Sequence, residues 1–379
     1  MIFNNLGNIA GRNFTMKYSE VLADLQQRCA YSKEGYLPII AEAKEYLQKY
    51  EDGLIEMDMP EEMLSELYYL IAYFVMKAYG RPELDLDEAA EYLRKASKLQ
   101  DLEKYILELW NVLGSNRKHL EGIAEIEAYI ERTGGTPKTV AKAGNEILLY
   151  TDDLEKGVAY FHRAIEMDPD NVDTYWTYFT DLEEIVLQYP EYYDDAFLCL
   201  NRIIELCSKP GCTSNMNIPG RYLDLATLYK QVKDYKKALE SVEKCIAMDS
   251  SKDVAWGMKG DILTLMGRYE EAIQAYRTRL GMFEKMENIK ATPVANTYKA
   301  MAECYMVSGN MQGAREIYRK GQMMFGGDIQ QEFAQKMQEL EDVKEKTGMP
   351  GWVKIVCGMV AVVGGICVIA AIILNLIYG

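Results

Sequence analysis

One short pattern recurs along this chain at roughly the length of a helical hairpin. A small residue is followed four positions on by an aromatic or aliphatic one, and usually, three further on, by another small or apolar residue. The pattern is plain at Gly157/Phe161/Ala164, Ala196/Leu200/Ile203, Ala238/Val242/Cys245, Ala272/Tyr276/Arg279 and Ala314/Tyr318/Gly321, with looser copies at Ala89/Leu93/Ala96 and Gly122/Ile126/Tyr129. The leading residues are 33, 35, 39, 42, 34 and 42 positions apart. Offsets of four and seven lie on one helix face, and a period of about 34 residues holds two helices and their turns. Each unit has an upstream half with its own helical pattern: Tyr222/Leu225/Ala226/Tyr229, Trp256/Gly260/Leu263 and Tyr298/Met301/Ala302/Tyr305.

A single hairpin of this kind cannot bury its apolar face, so the repeat dictates stacking. Small residues at Ala238, Ala272 and Ala314 let paired helices approach closely. Large ones such as Phe161, Tyr276 and Tyr318 fill the space between hairpins, and Gly157, Trp256 and Gly260 complete the packing set. The residues Trp256-x3-Gly260 and Gly157-x3-Phe161 followed by Pro169 resemble the tetratricopeptide repeat. That resemblance implies an all-α solenoid, a right-handed superhelix of helical hairpins with the first helix of each repeat lining the concave side.

The expected organisation is a loosely ordered 1–16, divergent hairpins over 17–137, clear repeats over 138–325, a capping helix within 326–350 and an apolar segment over 351–379. Lys209-Pro210-Gly211 in the connection 208–218 marks a candidate joint. Asp328 to Lys346 reads as an amphipathic helix with Phe333, Met337 and Leu340 on one side.

Ile355 to Gly379 contains no Asp, Glu, Lys or Arg. At about 1.5 Å per residue such a helix reaches roughly 37 Å, enough to cross a hydrocarbon core of about 30 Å. The expectation is a C-terminal, tail-anchored transmembrane helix in contact with lipid over 353–378. Lys344, Lys346 and Lys354 before it place the repeats on the cytoplasmic side. The first 16 residues lack the basic start and apolar run of a secretory signal. Ala361/Gly365 and Cys367/Ala371 leave room for weak self-association of that helix.

A net charge of −16 argues against nucleic acid, whose recognition needs a concentrated basic surface. The eight cysteines show no C-x-x-C pair and read as small buried hydrophobes. No glycine-rich phosphate loop and no H-E-x-x-H occurs. Ser115-Asn116-Arg117-Lys118 matches S-x-x-K only by chance in a turn. Asp168 to Asp173 lacks the glycine and glutamate of a calcium loop. With only His119 and His162 available, we expect no catalytic, cofactor-binding or metal-ligating set.

Chaperone-binding members of the resembled family hold a terminal carboxylate with lysine and asparagine on their first helices. Here Gly144-Asn145 echoes part of that set, but Ala141 stands in the lysine position and Tyr178 and Asp224 at later ones. Instead Glu146, Asp224, Asp261, Lys299 and Glu303 form the candidate peptide groove, mostly acidic and suited to a basic or amide-rich protein segment. The expected function is a membrane-tethered, non-enzymatic scaffold. The alternatives are a ligand or peptide sensor and an enzyme subunit built on helical hairpins.

Overall fold

A computed structural model describes residues 14–16, 36–57, 59–78, 85–212, 214–286 and 290–345. The expected transmembrane segment 351–379, with its lipid contact and self-association, lies outside these residues. Among the described residues no helix is long and apolar enough to cross a membrane.

The chain divides into two units, Met1–Cys199 and Leu200–Gly379. The first contains α1 (Leu37–Glu51), α2 (Pro60–Lys77), α3 (Leu86–Leu99), α4 (Glu103–Ser115), α5 (His119–Thr133), α6 (Pro137–Tyr150), α7 (Leu154–Met167) and α8 (Val172–Gln188). A 3-10 turn, Pro190–Tyr192, leads into α9 (Tyr193–Ser208), within which the division falls. The second unit continues with α10 (Ile218–Gln231), α11 (Tyr235–Met248), α12 (Asp253–Leu265), α13 (Tyr269–Phe283), α14 (Ala291–Val307), α15 (Met311–Met324) and α16 (Gly327–Glu345).

Polar side chains start many of these helices by taking up otherwise unpaired backbone N–H groups. Thr136 and Thr139 form a reciprocal capping box ahead of Pro137, and Asp153, Asn171, Asp234 and Asn310 accept from the backbone N–H three residues on. The hairpin turns reuse one device. After α4, α10, α12 and α14 the chain enters the left-handed region at Arg117, Lys233, Gly267 and Gly309, with φ of 58°, 63°, 74° and 81°. The following N–H then reaches back to a carbonyl of the last helical turn: Lys118 to Leu113, Asp234 to Tyr229, Arg268 to Leu263 and Asn310 to Tyr305, at 2.8, 2.8, 2.9 and 2.8 Å. This is the six-to-one closure that ends helices when a residue adopts positive φ.

Within each unit, α2 packs on α3, α4 on α5, α6 on α7, α10 on α11, α12 on α13 and α14 on α15. First helices also touch across repeats, α2 with α4, α6 with α8 and α12 with α14, as a hairpin stack requires. The close approach rests on small residues. A Cβ on Gly144 would sit 2.9 Å from the Gly157 carbonyl oxygen, and one on Gly260 would sit 2.4 Å from the Tyr276 ring. Ala238, Ala272 and Ala314 are fully buried, Phe161 stacks on Tyr178 at 4.5 Å, Tyr276 is buried against Gly260 within its own hairpin, and Tyr318 is buried against Phe333 of α16. Trp256 is only half-buried, its indole N–H donating to the Ser250 carbonyl at 3.1 Å.

In α16, Phe333 is buried against Tyr318, Phe325 and the backbone of Gly321, and Leu340 is buried with it. Its other side, with Asp328, Gln331, Glu332, Gln335, Lys336 and Glu339, is exposed. One feature has no signal in the sequence: Phe14–Met16 pairs in parallel with Ile55–Met57, Phe14 opposite Ile55. Three-residue strands carry no alternation long enough to read.

Candidate functional site

Along the first helices of the first unit, Asn111 on α4, Asn145 on α6 and Asp181 on α8 recur 34 and 36 residues apart, and Asn145 directly follows the closely packed Gly144. Asn111 donates to Glu108 at 3.1 Å. The Asn145 amide donates to both carboxylate oxygens of Asp181, each at 2.9 Å, and accepts from the Lys142 ammonium at 3.1 Å. Lys142 in turn lies 3.5 Å from the centre of the Trp110 ring, a cation–π contact. Burial raises the Asp181 carboxyl to about 6, against the opposing effects of the Asn145 hydrogen bond and the Lys142 charge.

Further toward the N-terminus, Tyr69 and Tyr73 stack at 5.9 Å, and Lys104 lies 5.0 Å from the ring centres of both Tyr69 and Tyr105 while pairing with Glu66. Burial, reinforced by the charges of Glu108 and Glu66, raises the Tyr69 hydroxyl to about 12. Burial also raises the Glu108 carboxyl.

In the second unit the corresponding residues are Asp261 on α12 and Glu303 on α14, both exposed. Asp261 accepts from the Tyr276 hydroxyl at 2.7 Å. Partial burial of its carboxyl group, helped by the Asp261 charge, raises Glu303 above its ordinary value, although Lys336 and Lys299 pull it down. Lys299 binds Glu332 of α16 at 2.9 and 3.1 Å, so ammonium groups stand among the carboxylates of this face.

Two of the residues expected in the groove are placed differently. Glu146 is 2% exposed and turns inward, pairing with Lys142 at 3.1 Å and facing the His119 ring nitrogen at 3.7 Å. It stands two residues after Gly144, so its helical angle points toward α5; Asn145, one residue after Gly144, takes the outward position. Asp224 is half-buried and pairs with Arg221 of its own helix at 3.0 Å. Asn111, Lys142 and Asp181 were not among the expected residues; the repeat spacing of 34 and 36 residues on either side of Asn145 reaches Asn111 and Asp181, and Lys142 has no such signal.

Among the described residues no group of three or more His, Cys, Asp or Glu side chains could hold a metal ion. Taken unit by unit, Asn145–Asp181 with Lys142 in the first, and Asp261 and Glu303 with Lys299 in the second, each offer polar groups and both signs of charge on rigid helices. Such a set can hold an extended polypeptide or its side chains.

The tetratricopeptide repeat family profile matches residues 220–252 and 254–284, which cover α10 to α13. A TPR repeat-containing protein of Methanocaldococcus jannaschii is 23% identical over 339 residues, which is 85% of this chain and 56% of that protein. The chain therefore spans just over half the length of this curated relative. The C-terminal part of a TPR repeat-containing protein from Cytophaga hutchinsonii is 14% identical, covering 66% of this chain and 93% of its own, with a TM-score of 0.49. YrrB, described as a TPR protein with an unusual peptide-binding site, is 16% identical over 56% of this chain and 97% of its own, with a TM-score of 0.39.

Proposed function

We propose that this all-α chain, which carries tetratricopeptide repeats, is a non-enzymatic scaffold that holds a segment of a partner protein on its first-helix faces. The observation that carries this reading is the repeat-spaced row itself. Asp261 and Glu303 stand exposed at equivalent positions of adjacent first helices, and neither is needed to fill the core. Carboxylates there favour a segment bearing lysine, arginine or side-chain amides, with Lys299 and Lys336 setting its register.

The charge-free stretch Ile355–Gly379, with lysines ahead of it, supports a membrane tether with the repeats on the cytoplasmic side. Affinity purification from detergent-solubilised membranes tests both parts. The intact chain should retain a partner that is lost when Asp261 and Glu303 are changed to Lys. A chain lacking 347–379 should leave the membrane fraction and still bind that partner. Undiminished capture by the double variant would remove the first-helix face from the reading, and membrane partitioning of the shortened chain would remove the tether.

A further inference from the structure

Five cysteines fall within the described helices and turns, and two of them differ from the rest. Cys199, Cys245 and Cys304 are fully buried, whereas Cys207 is half-buried and Cys212 exposed. Cys207 lies in the last turn of α9. Beyond it the Lys209 N–H reaches the Leu206 carbonyl at 3.2 Å, and the Cys212 N–H reaches the Lys209 carbonyl, also at 3.2 Å. Gly211 turns the chain between them at φ 88°, a conformation that side chains resist; a Cβ there would meet nothing within 4 Å, so its backbone angle alone accounts for a glycine. These two turns bring Cys212 back toward the helix end that carries Cys207, and the Cys212 thiol adds to burial in raising the Cys207 thiol above its ordinary value.

We propose that Cys207 and Cys212 form a redox-modification site, a dithiol that peroxides oxidise to a reversible disulfide across the end of α9. The exposed partner reacts first. The Cys212 thiolate attacks one peroxide oxygen, the S–O bond forms and the O–O bond breaks, and the departing hydroxide takes the thiol's proton to leave as water. The Cys207 thiolate then attacks Cys212 Sγ; the S–S bond forms, the S–O bond breaks, and the second oxygen leaves as water with the Cys207 proton. Two thiols give up two electrons and two protons, and one hydrogen peroxide becomes two waters. This order suits the surroundings, since burial holds the Cys207 thiol above its ordinary value and Cys212 is the more accessible sulfur. A disulfide here closes a ring over Ser208–Gly211 and fixes the path by which the chain leaves the helix.

The test uses the full chain in detergent, reduced, exposed to hydrogen peroxide and then alkylated with N-ethylmaleimide before digestion with trypsin. Lys209 is followed by Pro210, so both cysteines stay on one peptide, Ile203–Arg221. That peptide should lose two hydrogens, about 2 Da, and its two alkylation sites, and dithiothreitol should restore both. In Cys212→Ser, whose exposed position spares the fold, loss of Cys207 alkylation should slow roughly tenfold or more. Two findings would overturn the site: both cysteines still alkylated when other exposed thiols have reacted, or Cys207 lost at the same rate in the Cys212→Ser chain. Disulfides running from either cysteine to other positions would overturn it as well.

Discussion

The Asn145 side-chain amide sits 2.9 Å from each carboxylate oxygen of Asp181, linking the first helices of two successive hairpins. The pair is polar, half-buried and set between packed cores, so its protonation is coupled to folding.

Burial raises the Asp181 carboxyl from 3.8 to about 6, so the folded chain binds this proton more tightly than the unfolded chain does. The stability this group adds is complete below the unfolded value of 3.8 and is lost as pH rises through about 6. Asp181→Asn should therefore flatten the pH dependence of the melting temperature between about pH 4 and pH 7 and raise the melting temperature at the upper end. Thermal unfolding at matched ionic strength across that range checks it.

Arg117 and Lys233 occupy the left-handed turn position that Gly267 and Gly309 fill elsewhere. Arg117→Gly and Lys233→Gly should each stabilise the chain by roughly 0.5–1 kcal/mol, the relief of positive φ outweighing the added freedom of the unfolded chain. Gly267→Ala should cost about 1 kcal/mol, although no atom lies within 4 Å of the new Cβ. Denaturant unfolding of the three variants gives opposite signs if the turn geometry is the cause.

Gly144→Ala places a Cβ 2.9 Å from the backbone oxygen of Gly157, which cannot swing aside as a side chain would. A loss of about 1–3 kcal/mol is expected. Gly281, within α13, has open space around it, and Gly281→Ala should gain about 0.5–1 kcal/mol from helix propensity. Comparing the two by urea midpoint separates close packing from propensity.

Phe333 anchors α16 on Tyr318, Phe325 and Gly321 and is fully buried. Phe333→Ala should cost about 3–5 kcal/mol locally. Hydrogen exchange should quicken first in α15 and α16, ahead of α10 to α13, because hairpin stacks lose order from their ends.

The hairpins were legible in the sequence because packing of this kind needs small residues wherever backbones meet, and Gly157, Gly260, Ala238, Ala272 and Ala314 mark those places. The face of the candidate site was only partly legible. A helix turns by about 100° per residue, so counting to Glu146 instead of Asn145 exchanges an inward residue for an outward one. Trp256 shows a second limit: its size reads as core, but its position near the start of α12 leaves it half-exposed with a backbone partner. The pairing of Phe14–Met16 with Ile55–Met57 joins segments far apart in the chain, and neither carries a local pattern that names the other.

The exposed side of α16 also governs how copies of this chain can meet. A hairpin stack ending on an apolar surface would accept another copy's hairpin as its next repeat and grow without limit. With Asp328, Glu332, Lys336 and Glu339 facing outward, that end presents hydrated charge to any incoming hairpin. Association of the second unit through this side of α16 would have to displace that hydration.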